Sequence, residues 1–206
     1  MGYWQDMFDI LLLKDEAYRR VGNDAHAFKR VSGYLLLSFF CVALFIGALV
    51  ALGFSFIRAY LPVGEIPADI GGFLSLIFIA MVVFMPLLLY AFEYVSSLIP
   101  HGIGLLCGGK PKGYHDFFKV ASYPLPVVYP LMILFNVLQP VFMIWWFFVL
   151  YKSYRVIHKL SPRNSGLAVA LNILLVLIVI VTITVLVFSL FMVSPEFAAQ
   201  VAARGY

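Results

Sequence analysis

An all-α fold, specifically an integral membrane bundle of five transmembrane helices with an N-terminal amphipathic interfacial helix, is what this sequence predicts. Three observations lead there. Hydrophobic residues make up 64% of the 206 and charged residues 12%, where a soluble domain carries about 25% charged. The apolar runs reach or exceed the roughly 20 residues that cross a bilayer. Lysine and arginine gather between alternate runs, the pattern of the positive-inside rule. Such a chain cannot clothe itself in polar surface, and its length fits one bundle without a second domain. The net charge of +4 therefore speaks for sidedness in a membrane and not for nucleic acid. Cys41 falls in a span and Cys107 in a loop, so no disulfide framework is expected. No cleavable leader is expected either, because the first apolar run starts near Tyr34 and is too long for one.

Residues 1–32 read as the amphipathic segment. Tyr3, Trp4, Met7, Phe8, Leu11 and Leu12 recur at three- and four-residue steps, while Asp6, Asp9, Lys14 and Asp15 occupy the rest of the turn. Equal numbers of basic and acidic residues make it a weak electrostatic anchor. Its apolar face either lies on the membrane or packs on the protein's own loops. The first span covers 33–57, where Ala43, Gly47, Ala51 and Ser55 fall at four-residue steps. Such a stripe of small residues lets helices approach closely, within the chain or in a homo-oligomer. Residues 58–70 form a short outer loop. The second span, 71–92, contains Pro86, which is expected to kink it. Beyond it Tyr90, Tyr94, Ser97 and His101 line one face of a helix expected to bend along the membrane surface, ending at Gly108 and Gly109.

Orientation depends on residues 120–157, an apolar stretch with four prolines, too long for one crossing. It is one steeply tilted helix or a hairpin, spans 120–138 and 140–157, turning near Asn136, Gln139 and Pro140. The final span is 167–193 and residues 194–206 are a tail. With five spans, twelve of the fourteen Lys and Arg residues fall on one side and only Arg58 and Arg204 on the other. With a single tilted helix the split is nine to five. The charges therefore favour the hairpin, an N-terminus in the cytoplasm and a C-terminus outside. Tyr151 and Tyr154 are expected at headgroup depth.

Residues 104–110 match the G-x-x-x-x-G-K spacing of a phosphate-binding loop, but Pro111 stands where Ser or Thr would bind Mg²⁺ and no strand precedes it. His101, Cys107, His115 and Asp116 do not have the spacing of a structural zinc site. No catalytic arrangement, metal or cofactor is expected. Glu93 is an acid near a span end, either a partner for a loop base or an intramembrane polar site together with His101, Asn136 and Asn172. Lys152, Arg155, His158, Lys159 and Arg163 form the densest basic face, joined on the same side by Lys110 and Lys112. It either contacts anionic headgroups, at about 1 kcal/mol per basic residue, or docks a cytoplasmic protein.

His101, the Gly108-Gly109-Lys110 turn, Tyr114, Phe117, Val120 and residues 121–126 resemble the Ypt/Rab-interacting, or Yip, membrane-protein family. Trp145, Trp146, residues 154–161 and Gly166 to Ala168 continue the likeness. It covers residues 91–175. The resemblance implies a five-helix domain with a cytoplasmic N-terminus, and is nearer to compact prokaryotic members than to the eukaryotic relatives that act with small GTPases. The expectation is a non-enzymatic scaffold or adaptor binding anionic lipid or a protein partner through its basic loops. The alternative is a small transporter or channel subunit with a polar path near Glu93, Asn136 and Asn172.

Overall fold

The computed structural model describes residues 2–60, 70–110 and 112–192, and these are helical with no strand among them. The expected tail at 194–206 and most of the expected outer loop lie outside the described residues. Helix α1 spans Tyr3–Leu11 and α2 spans Asp15–Asn23. One continuous surface helix was the expectation, and the chain instead breaks at Leu13, whose φ of 57° is left-handed. That conformation interrupts a right-handed helix and costs a side-chain-bearing residue about 1–2 kcal/mol. The break lets α2 fold back along α1. Arg20 reaches Asp6 at 2.7 Å and Asp9 at 3.1 Å, and the Tyr18 hydroxyl donates to the Ile10 carbonyl at 3.4 Å.

Helix α3 (Ala27–Tyr60) starts earlier than the expected residue 33. Just before it the Asp24 carboxylate accepts from the His26 amide at 2.8 Å and pairs with Arg30, an Asx turn that leads the chain into the helix. Helix α4 covers Ile70–Ser96 and passes through Pro86 without ending, and α5 covers Leu98–Leu106. Helix α6 is Tyr114–Ala121 and α7 is Leu125–Leu134, with 44° between them. A 3₁₀ turn at Asn136–Leu138 leads into α8 (Gln139–Val156), and α9 is Pro162–Met192.

Three helical runs among the described residues are long and apolar enough to cross a membrane: Ala27–Phe56, Ser75–Leu106 and Pro162–Ser189. A fourth is reached only if α6 and α7 count as one bent span. The architecture is that of a multi-pass membrane protein. The second run includes α5, so the helix expected to bend along the surface instead prolongs α4. The proline-rich stretch does double back. Phe117, just before it, packs its ring 5.7 Å from Tyr154, near its end, and 5.3 Å from His158, just beyond it. At 10 residues α7 is only about 15 Å long, half the hydrocarbon thickness.

The buried core lies at one end of the bundle. Tyr3, Met7 and Ile10 of α1 and Ala17, Tyr18 and Val21 of α2 are buried there, with Val31 and Leu35 of α3, Phe117 and Phe118 of α6, and Leu150 and Tyr154 of α8. The N-terminal segment is therefore packed on its own chain. Trp145 of α8 secures it, donating from Nε1 to the Leu11 carbonyl at 3.1 Å. Away from this layer the long helices show mostly apolar side chains outward, Leu76, Phe84, Leu88 and Phe188 among them. Gly47 meets α4 closely enough that a Cβ would lie 2.5 Å from the Phe78 ring, and Ala43 is fully buried. The small-residue stripe is used inside the chain at those two positions, and Ala51 is exposed.

Candidate functional site

Two groups of polar residues emerge from this packing. The first is a cationic edge beside the core. The Lys110 amide donates to the His158 carbonyl at 2.9 Å, and Asn164 Nδ2 donates to the Cys107 carbonyl at 3.0 Å. Those bonds pin the loop after α5, the loop after α8 and the first turn of α9 to one another. Lys110, Lys159 and Arg163 are exposed on the three pinned segments and Lys112 is half-buried. None of the four forms an ion pair among the described residues. The other two expected members differ. Lys152 pairs with Asp15 of α2 at 2.6 Å, and Arg155 donates to the Leu160 carbonyl at 3.3 Å.

His158 does not belong to the basic face where spacing put it, because its side chain is fully buried. The helix ends at Val156 with Ile157 as its cap, and Lys159, at a left-handed φ of 53°, takes the chain out of the helical register. Burial pushes the His158 imidazole below the ordinary histidine range, with the Lys110 carbonyl opposing and His101 reinforcing the shift. Its ring lies against Gly104, where a Cβ would stand 2.8 Å from Cδ2. The amides of Gly108 and Gly109 are also spent within the loop, on the Leu105 and Gly104 carbonyls at 3.0 Å each. A loop with its amides so engaged does not cradle a phosphate. Tyr154, expected at headgroup depth, is fully buried with its hydroxyl donating to the Pro100 carbonyl at 2.9 Å.

The second group surrounds a cleft of about 550 Å³ bounded by α4, α5, α7, α8 and α9. Glu93 and Asn172 both line it, so the structure brings these two expected residues to one site. Glu93 pairs with no base among the described residues. Its carboxylate accepts from the Tyr129 hydroxyl at 2.6 Å and the Ser122 hydroxyl at 3.3 Å. Asn172 donates to the Tyr154 hydroxyl and to the Ala168 carbonyl, both at 2.7 Å. His101 stays outside the cleft lining, its ring centroid 4.9 Å from that of His158. The side chain of Asn136 lies outside the described residues.

Sequence reading missed Tyr129, Ser122 and Tyr154 as the partners that hold these groups. The one available signal was a hydroxyl within an otherwise apolar run, which does not say which acid or amide it meets. No group of three or more His, Cys, Asp or Glu residues able to hold a metal occurs among the described residues. No family model, curated protein or solved structure matches this chain.

Proposed function

We propose that this protein is a non-enzymatic membrane scaffold of Yip type, a five-span domain with its N-terminus in the cytoplasm and C-terminus outside. Its cytoplasmic cationic edge holds an anionic partner, either lipid headgroups or the acidic face of a protein. The observation that carries the reading is the grouping of Lys110, Lys112, Lys159 and Arg163, pinned by backbone bonds and left without acidic partners among the described residues. The neighbouring acids are already engaged: Asp15 holds Lys152 and Asp116 holds Lys119. The edge therefore offers positive charge on a rigid frame.

The test replaces Lys110, Lys159 and Arg163 by Gln together. At about 1 kcal/mol per basic residue, tethering of the protein in neutral nanodiscs to anionic vesicles should weaken by roughly a hundredfold. Pull-down of soluble partners should fall alongside if the partner is a protein. Unchanged behaviour in both assays rejects the scaffold reading. A second reading, a small transporter, has in its favour that Glu93 and Asn172 share one cleft. Solute flux through proteoliposomes distinguishes it, because a scaffold passes nothing.

A further inference from the structure

The cleft has an acid of its own with no base opposite it among the described residues. Asp6, Asp9, Asp15, Asp24 and Asp116 each hold a lysine or arginine. Glu93 holds none among the described residues, although it is only 9% exposed. Its two hydrogen-bond donors are neutral hydroxyls. A carboxylate in apolar surroundings is costly until a positive charge faces it. The wall around Glu93 is otherwise nearly all hydrocarbon and thioether, with Ser96, Ser97 and Asn172 among its few polar members. Its volume of about 550 Å³ lies within the range of ligand sites. Phe92, Ile99 and Ile180 on its rim are at least half exposed, so the cleft opens on the same apolar surface that the long helices present to lipid.

We propose that this cleft binds a membrane lipid bearing a primary ammonium headgroup, an ethanolamine phospholipid. The ammonium sits on Glu93 and an acyl chain lies along Met132, Met143 and Val176. The choice of a cation follows from the lone carboxylate. The choice of a primary ammonium follows from the need for N–H donors toward an oxygen cluster, and the choice of a lipid follows from the apolar walls and the opening toward the bilayer. This site is separate from the cationic edge and would stand if that edge had no partner.

Native mass spectrometry of the full chain, released from detergent, tests it. Phosphatidylethanolamine, phosphatidylglycerol and diacylglycerol of identical chains are titrated in turn. Half-occupancy by the ethanolamine lipid is expected at about tenfold lower concentration than by either of the others, the worth of one charge-assisted contact. Glu93→Gln should abolish that preference and leave binding of diacylglycerol as it was. A comparison on the unaltered chain guards against misfolding of the variant. Dodecylamine should displace the bound ethanolamine lipid at about tenfold lower concentration than dodecanol. Equal occupancy by the three lipids, or equal potency of amine and alcohol, overturns the proposal.

Discussion

A single methyl group at position 109 would meet backbone. A Cβ there would stand 2.6 Å from the Gly104 carbonyl oxygen and 2.9 Å from His158 Cβ, and neither can yield without moving the loop. Gly109→Ala should therefore lower stability by about 1–3 kcal/mol, read as a lower melting temperature in detergent. Gly102, in α5, has open space around its Cβ position. Gly102→Ala should raise stability by roughly 0.5–1 kcal/mol through chain entropy, so the two alanines have opposite signs. His158 gives a pH signature. Its folded-state imidazole titrates below the ordinary range, chiefly through burial. As pH falls through about 6.5 the unfolded chain takes up the proton first. The contribution is thus full above that pH and lost as pH drops toward the folded value. Thermal unfolding should weaken on acidification from neutral pH, and His158→Gln should flatten that dependence.

Helix α1 carries two apolar stripes with different jobs. Tyr3, Met7 and Ile10 are buried in the core, while Trp4, Phe8 and Leu12 are each more than half exposed. Sequence periodicity grouped Tyr3, Trp4, Met7 and Phe8 on one broad face, because both stripes are apolar and only the neighbours tell them apart. Met7→Ala should destabilise by about 2–5 kcal/mol. Phe8→Ala should leave unfolding nearly unchanged and weaken the seating of α1 on lipid, seen as a red shift of Trp4 emission. If both substitutions are neutral to folding, α1 is not part of the core.

The molecule as a whole holds its buried core at one end and leaves its long helices for lipid. About a third of the most apolar stretch of Ala27–Phe56 is buried within the chain, and only 6% of the corresponding stretches of the other two long runs. The break between Leu134 and Gln139 rules out one continuous helix over 120–157, while the basic residues favour a doubled-back stretch without distinguishing a spanning hairpin from one that enters and leaves on the same side. Both put the same loops together. Val137, 90% exposed at the hairpin tip, decides between them. With Cys41 and Cys107 replaced by Ser, Val137→Cys should react with an impermeant thiol reagent added outside intact cells. Labelling only after permeabilisation would reduce the hairpin to a re-entrant loop and the spans to three.

The helical class and the long apolar runs were legible along the chain, because hydropathy acts locally and its spacing is the signal. Glu93, Asn172, Lys110 and Arg163 were legible as polar groups for the same reason. Tertiary packing alone decided what they do. It buried His158 beneath two glycines and broke the N-terminal helix at Leu13. It also gave Glu93 the hydroxyls of Ser122 and Tyr129 and, among the described residues, no lysine or arginine. Those outcomes join residues up to 137 positions apart, as in the Lys152–Asp15 pair, and no local pattern encodes which distant side chain closes such a contact.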